Sequence, residues 1–252
     1  MTITRRTLLA ALAATPARAA TPLRAVYIVA NLAQATRDPA TGQPAGVVVD
    51  LAHELARRAG TTATITPIET AARVLDAVRT GTADIGFVAP NPERQGIVLY
   101  SQTYMLVQQS ALVPDGSTLL SVRDLDRPGQ TIGANKDDSV SVWLKSHLRA
   151  ATTRESADYT LAEAATWLQS GAVAAFAGNR QRLAAGTKGV PGLHLLPDNL
   201  YAVPQTIAVA IDQPGRLAAI NATLDELRAN GFLAAAMTRS GVDGIAVAPS
   251  AR

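Results

Sequence analysis

Residues 70–89 read TAARVLDAVRTGTADIGFVA and contain a helical pattern followed directly by a strand pattern. Apolar side chains recur on one face between residues 70 and 80, and Gly81 follows where a helix commonly ends. The run at 84–89 is short and almost continuously apolar, which predicts a central strand buried on both of its faces. A helix that leads into a strand of this kind indicates an α/β fold built on a mostly parallel sheet.

The same alternation continues on both sides of this stretch. We predict further strands at 23–30, 62–68, 108–113, 131–134, 172–177 and 202–211, and further helices at 50–59, 139–149, 161–170, 179–185, 214–229 and 232–239. The remainder, 240–252, lacks a pattern and is predicted to form a loose tail. In folds of this class, ligands bind beyond the carboxyl ends of the strands, often at helix N-termini.

The N-terminal segment has the order of a secretory signal: a basic start, a short apolar run and then small residues. The apolar run is too short to cross a bilayer, which needs about 20 residues. The adjacent arginines in Thr4–Leu9 are also typical of a twin-arginine signal, so both export routes stay open. We therefore predict a leader at 1–20 that is cleaved near Ala19, and a mature protein that is located in the periplasm.

The composition excludes several classes of function. The chain has 23 Lys+Arg against 20 Asp+Glu, but three of its arginines lie in the predicted leader, so the rest is formally neutral and shows no basic excess for a nucleic-acid partner. The chain has no cysteine. The three histidines lack the spacing of metal ligands, and they are His53, His147 and His194. We expect no metal site and no cofactor.

Five segments follow one another along the chain: Gly46–Ala52, Val74–Asp84, the turn Pro90–Arg94, Tyr100–Tyr104 and Ala229–Phe232. In this order they resemble segments of family 3 extracellular solute-binding proteins, the amino-acid-type substrate-binding proteins of ABC transporters. No single segment is specific, but the ordered series is, and it extends over roughly residues 22 to 240.

The resemblance implies an α/β, two-lobed type II periplasmic-binding-protein-like fold with two crossing hinge strands. Lobe one would comprise 21–107 and 206–252, and lobe two would comprise 108–205. Such proteins close by a hinge motion around a small molecule and deliver it to the membrane permease of an ABC importer. For this chain the implied ligand is an amino acid or an organic anion, and the protein is expected to act as a monomer without enzymatic activity.

Arg94 matches the arginine that clamps the carboxylate of the ligand in the resembled family. A guanidinium forms two parallel hydrogen bonds with a carboxylate, a geometry that lysine cannot reproduce. Ala89 stands where the family has a hydroxyl side chain, so only its backbone amide is expected to contribute.

The second lobe supplies further candidates at two predicted helix starts. Asp138 and Ser139 precede one helix, where they either cap it or contact the ligand. Asn179 stands where amino-acid binders carry an aspartate for the ammonium group of the ligand. Asparagine cannot neutralise that charge, although its oxygen accepts a hydrogen bond, so a dicarboxylate remains an alternative to an α-amino acid.

Four other residues complete the predicted site. Tyr104 and Gln205 belong to the predicted hinge strands, Asn31 follows the first strand, and Arg73 near a helix start would add a second cation. An alternative function is that of a periplasmic cyclohexadienyl or arogenate dehydratase, for which Glu69 is the one candidate acid. A third is a soluble sensor that acts through a separate partner.

Overall fold

The structure is a computed structural model that describes residues 21–90, 96–136, 138–157, 161–188 and 190–250. Its strands are β1 (Leu23–Ile28), β2 (Thr36–Arg37), β3 (Pro44–Ala45), β4 (Ala63–Ile68), β5 (Ile85–Val88), β6 (Val98–Tyr100), β7 (Met105–Pro114), β8 (Thr131–Asn135), β9 (Thr152–Ser156), β10 (Ala175–Asn179), β11 (Leu193–Leu195), β12 (Tyr201–Ala210) and β13 (Ile245–Val247). Its α-helices are α1 (Val47–Arg58), α2 (Ala71–Arg79), α3 (Ser139–His147), α4 (Leu161–Gln169), α5 (Arg180–Thr187), α6 (Pro214–Ala229) and α7 (Phe232–Ser240). The predicted leader lies outside the described residues.

Eleven strands form one sheet, whose main path runs β4-β1-β5-β12-β7-β10-β8-β9. At one end β4, β1 and β5 are parallel, and at the other end β10, β8 and β9 are parallel. We call the first end with its helices lobe one and the second end with its helices lobe two. The long strands β7 and β12 lie antiparallel between them. The α/β, two-lobed type II periplasmic-binding fold predicted from the sequence is therefore confirmed.

The two long strands carry the chain between the lobes. The segment Tyr201–Gln205 of β12 pairs with Met105–Gln109 of β7, and the next residues, Thr206–Ala208, pair with β5 in lobe one. The other half of β7 pairs with β10 in lobe two. Because each strand contributes to both lobes, a rotation of one lobe against the other must be taken up in these two strands.

The stretch at 70–89 folds as its pattern predicts. Thr70 caps α2, since its hydroxyl accepts a hydrogen bond from the amide of Arg73 at 3.3 Å, a contact typically worth about 1 kcal/mol. All four residues of β5 are buried, in agreement with a central strand. The ring of Phe87 meets that of Tyr104 edge to face, with 5.9 Å between the centroids. Ala89, directly after this central strand, lines the cavity between the lobes.

Helix α1 begins three residues earlier than predicted. The three valines before Asp50 are strand-like in isolation, but they are buried against the core of lobe one, and this packing overrides their modest helix propensity. Gly46 precedes the helix with a φ of 134°, and a Cβ there would lie 2.9 Å from the backbone oxygen of Gln34. Glycine is therefore required where the loop after β1 passes the start of α1.

The prediction of a loose C-terminal tail was wrong in part. Ile245–Val247 forms β13, which pairs with the first residues of β7. Strand β10 also begins later than predicted, at Ala175, and ends at Asn179. Short edge strands such as β6, β9 and β11 were not predicted, because three to five residues carry too little periodicity to separate a strand from a loop.

Each lobe packs helices on both faces of its sheet. In lobe one, α1, α6 and α7 cover one face and α2 covers the other. In lobe two, α3 lies on one face, and α4 and α5 lie on the other. Within the described residues, none of these helices combines the length and the apolar character that crossing a membrane requires.

Candidate functional site

A cavity of about 250 Å³ lies between the two lobes and the crossing strands. Lobe one contributes Ile28, Ala30, Asn31, Leu32 and Ala89. The crossing strands contribute Val107, Gln109, Val203 and Gln205. Lobe two contributes Asp138, Ser139, Asn179, Gln181 and Arg182.

The topology explains why these residues meet. Strands β1 and β5 end beside the cavity in lobe one, and β10 ends beside it at Asn179 in lobe two. Helices α3 and α5 begin at the same place, so their free backbone amides lie near the cavity. Ligands of α/β folds bind at this position, beyond the carboxyl ends of parallel strands.

On the lobe-one side, a buried network of amide side chains fixes the cavity wall. Gln34 is fully buried: its Oε1 accepts from the amide of Ile28 at 3.0 Å, and its Nε2 donates to the backbone oxygen of Phe87 at 3.2 Å. The same Nε2 donates to Oε1 of Gln205 at 3.1 Å, and Asn31 Nδ2 donates to that oxygen at 3.3 Å. This wall satisfies its polar groups within the protein.

On the lobe-two side, the start of α3 carries a carboxylate and a hydroxyl. Asp138 Oδ1 accepts from the amide of Val140 at 3.5 Å and from the hydroxyl of Ser139 at 3.3 Å. The hydroxyl of Tyr201 donates to Ser139 Oγ at 3.3 Å. Burial raises the pKa of the Tyr201 hydroxyl to about 12; the bond to Ser139 opposes this rise and the charge of Asp138 adds to it. Tyr201 therefore stays protonated and remains a donor.

Two buried acceptors on the same side have no partner among the described residues. Asn179 immediately precedes α5 but its side chain does not cap the helix, and its Oδ1 is unpaired. Gln181 is only 7% exposed, and its Oε1 is unpaired as well. Buried polar atoms almost always have a partner, so two unpaired oxygens in residues that line one cavity leave two acceptors for a hydrogen-bond donor.

The structure brings most of the predicted site residues together. Those that line the cavity are Asn31, Ala89, Asp138, Ser139, Asn179 and Gln205. Contact with a ligand remains a prediction for each of them. Arg94, the central prediction, lies outside the described residues.

The other two predicted residues are not part of this lining. Tyr104 is fully buried in the core of lobe one, which raises the pKa of its hydroxyl far above the ordinary value. Arg73 is exposed on α2 and forms an ion pair with Glu69 at 3.1 Å. Both residues lie near segments that resemble the family, but the periodicity of a strand or helix decides which way a side chain faces. Here both side chains face away from the cavity.

Sequence reasoning missed three polar residues of the lining, although each lies in an element that the sequence predicted. Gln109 is two residues after Val107 on β7, so both side chains face the cavity. Gln181 and Arg182 lie in the first turn of α5, directly after Asn179. Within the described residues, no group of three or more His, Cys, Asp and Glu side chains is arranged to hold a metal ion.

Comparison with known proteins gives one sequence family and many structural neighbours. The family described as bacterial extracellular solute-binding proteins, family 3, matches residues 28–240 of this chain. None of the curated proteins matches the sequence.

Three solved structures illustrate the structural similarity. A putative binding component of an ABC transporter from Wolinella succinogenes, complexed with lysine, has a TM-score of 0.69 and 24% identity, over 86% of this chain and 94% of that one. An amino acid ABC transporter substrate-binding protein from Streptococcus pneumoniae, bound to L-arginine, has a TM-score of 0.64 and 20% identity, over 87% and 94%. An ancestral amino-acid-binding protein, described as a precursor of cyclohexadienyl dehydratase, has a TM-score of 0.64 and 23% identity, over 86% and 94%. At these identities the similarity establishes the fold.

Proposed function

The chain belongs to the bacterial extracellular solute-binding proteins of family 3, and we propose that it captures a small carboxylate-bearing solute, an amino acid or a related organic anion, for an ABC importer. The observation that carries this proposal is the cavity between the lobes, where a satisfied amide network faces a wall with unpaired acceptors. Such a cavity, crossed by two hinge strands, suits reversible enclosure of a solute.

The proposed site of action is the periplasm. The family is described as extracellular, and the N-terminal segment has the order of charge, apolar run and small residues that is typical of an export signal. We propose that the leader is removed near Ala19 and that the mature protein meets the membrane permease from the periplasmic side. N-terminal sequencing of periplasmic material tests this, and mature protein that still begins at Met1 would contradict it.

The two sides of the cavity have complementary roles in the proposal. The backbone amides after β5 together with Arg94 would hold the carboxylate of the ligand, because a desolvated anion needs a fixed positive charge and several donors. The acceptors of Asn179 and Gln181, with the carboxylate of Asp138 beside them, would receive the ammonium group or other donors. An α-amino acid satisfies both sides at once.

The dehydratase alternative has less support. Expulsion of water by a general acid requires a carboxyl group in the cleft whose pKa is raised. Glu69 does not line the cavity, and a backbone hydrogen bond and the charge of Arg73 lower its pKa. Asp138 is the single carboxylate in the described lining. The relationship to an ancestral precursor of a dehydratase keeps a prephenate turnover assay worthwhile as a control.

The direct test is a binding experiment on the mature protein with L-lysine, L-arginine, L-glutamine, L-glutamate and succinate. A solute that binds only the folded state adds about 2.7 kcal/mol to the free energy of unfolding when its concentration is one hundred times its Kd. This raises the Tm of a domain of this size by roughly 5–10 °C. Calorimetric titration then gives the stoichiometry, and mass spectrometry checks that the solute is recovered unchanged. A consumed solute would favour an enzyme, and the absence of any shift across the panel would contradict the proposal.

A further inference from the structure

We propose that the site extends past Gln181 into a second chamber and accepts an amino-acid-type solute that is lengthened by an amide and ends in a second carboxylate; this rests on the proposed function. A second cavity of about 340 Å³ lies next to the first, and Leu32 and Gln181 line both. Its far wall includes Thr36 and the turn after α7. The first cavity, at about 250 Å³, is smaller than the roughly 300–1,000 Å³ that is typical of ligand sites, so a continuation is expected.

One face of helix α5 forms the floor of this second chamber. Gln181, Ala184 and Ala185 line it at the spacing i, i+3 and i+4 of one helix face, and Lys188, directly after the last residue of the helix, lines it as well. The two alanines in the middle leave room, while the two ends of this row are polar. The row therefore forms a shallow channel about 10 Å long, from the first cavity to Lys188.

Gln181 lies where the two chambers meet, and its Oε1 has no partner among the described residues although the side chain is only 7% exposed. An acceptor in that position favours an N–H of a ligand that passes from one chamber into the other. A free α-amino acid with an apolar side chain has no donor to offer there. An amide N–H in the middle of a longer molecule does.

Lys188 supplies the charge at the far end. Its ammonium forms no ion pair with any described residue, and the residue lines the second chamber directly after the end of α5. Asp243 also lines the chamber, but Arg180 Nε donates to its carboxylate at 3.2 Å and offsets that charge. The excess charge of the chamber is therefore positive, and it fits a carboxylate at the distal end of the ligand.

These features together define the chemistry of the ligand. It has an ammonium and a carboxylate at its head for the first cavity, an amide N–H for Gln181, and a second carboxylate for Lys188. A dipeptide joined through a side-chain carboxyl group has this arrangement, and γ-L-glutamylglycine is the simplest probe. L-Glutamine is its matched control, because it has the same head and an amide but no distal carboxylate.

The experiment compares the affinities of both probes by calorimetric titration of the full mature protein. We expect γ-L-glutamylglycine to bind roughly tenfold or more tightly than L-glutamine, as one added charged hydrogen bond typically gives. Lys188→Gln should remove this advantage and leave L-glutamine unchanged. Lys145→Gln is the control, because that lysine is exposed on α3 and pairs with Glu155 outside the cavity. Ala184→Trp, which fills the channel, should weaken the binding of γ-L-glutamylglycine at least tenfold and leave the binding of L-glutamine unchanged. The Tm of the variant checks its folding.

Equal or weaker binding of γ-L-glutamylglycine relative to L-glutamine overturns the inference and leaves the proposed function intact. An equal loss for both probes in Ala184→Trp also overturns it, since the chamber would then not be specific to the extension. If neither these probes nor any other solute of the panel binds, the proposed function itself fails and takes the extension with it.

Discussion

The two walls of the interlobe cavity differ in how their polar groups are satisfied. In lobe one, the side chain of Gln34 bonds to backbone groups of Ile28 and Phe87. Gln34 and Asn31 both donate to Gln205 on the crossing strand, so these side chains have partners before a ligand binds. In lobe two, Asn179 and Gln181 present unpaired oxygens. A satisfied network is rigid and holds a fixed shape, whereas unpaired buried acceptors destabilise the free state until a donor arrives.

This difference assigns separate tasks to the lobes. The described lining of lobe one contains no charged side chain, so on this side the proposal relies on shape, backbone groups and Arg94. The lining of lobe two contains Asp138 and Arg182 in addition to the unpaired oxygens, so we expect this side to discriminate among the donor groups of the solute. Closure of lobe two onto a solute held by lobe one would then be favourable only when the donors of the solute match these acceptors.

The largest expected effect tests whether Arg94 completes the lobe-one side. We expect Arg94→Ala to reduce affinity by about 2–5 kcal/mol, or roughly thirty- to several-thousand-fold, because the ligand carboxylate would lose its paired, desolvated partner. Calorimetric titration measures this, with circular dichroism as the control for folding. Arg94→Lys should recover little, since lysine restores the charge but not the two parallel bonds.

Wild-type affinity in Arg94→Ala would remove this arginine from the site. The described residues that line the cavity in lobe one carry no charge, so an anionic group on the ligand would then lose its main support.

The next effect tests the claim that the lobe-one network is structural. We expect Gln34→Leu to lower the free energy of unfolding by about 2–4 kcal/mol, since it leaves the backbone oxygen of Phe87 and the amide of Ile28 without their partners. Denaturant unfolding measures it. Gln169→Leu, at an exposed position in lobe two, is the control and should change the same quantity by less than about 0.5 kcal/mol. A small effect of Gln34→Leu would show that the wall is less fixed than its bonds indicate.

The fold was predictable wherever a segment is long enough to show the periodic apolar residues of a helix or strand. The helix and central strand of residues 70–89 follow directly from their apolar spacing. The start of α1 at Val47 was not predictable from propensity, because the core of lobe one decides it. The pairing of Ile245–Val247 with β7 is a long-range contact that three residues of local sequence do not encode.

Six of the predicted site residues line the cavity between the lobes, but the direction of other side chains was not predictable. Motif alignment located the ends of β1, β5 and β10 and thereby Asn31, Ala89 and Asn179. It gave no sign of the buried Gln34 network, because an amide in a loop carries no signal until its partners on other elements are known. For the same reason the alignment did not show that Tyr104 turns into the core.

A smaller effect tests the selectivity assigned to lobe two. We expect Asn179→Asp to tighten the binding of an α-amino acid about tenfold, because a carboxylate would face the ammonium group, and to weaken a dicarboxylate by repulsion. The double variant Asp138→Asn with Asn179→Asp is the control, because it moves the negative charge along the wall without adding one. Titration of each variant with L-glutamine and succinate measures the difference. No change with either solute would place Asn179 outside the contact surface.

The smallest expected effect tests whether the two lobes, which differ at the cavity, unfold as one cooperative unit. Each has an acid whose pKa is lowered by local bonds. In lobe one, Glu54 accepts from Arg57 and Arg58 at 2.7 Å each, which lowers its pKa to about 2. In lobe two, Asp126 accepts from the backbone amides of 149–151, which lowers its pKa as well.

A carboxylate whose pKa is lowered by folding stabilises the folded state at pH values above its ordinary pKa. This contribution is lost as the pH falls toward the lowered pKa of the folded state. For Glu54 it should therefore be complete above pH 4.5 and decline as the pH falls toward about 2. Because the ion pairs lie at the surface, Glu54→Gln should lower the free energy of unfolding at pH 7 by less than about 1 kcal/mol, with a smaller difference at pH 3.

Urea unfolding, followed separately by the tryptophan fluorescence of lobe two and by total helical circular dichroism, checks both points, since Trp143 and Trp167 lie in α3 and α4. If the lobes unfold together, this substitution in lobe one will shift the two signals equally. A shift in circular dichroism without one in fluorescence would show that lobe two unfolds independently, and the crossing strands would then transmit ligand closure but not stability.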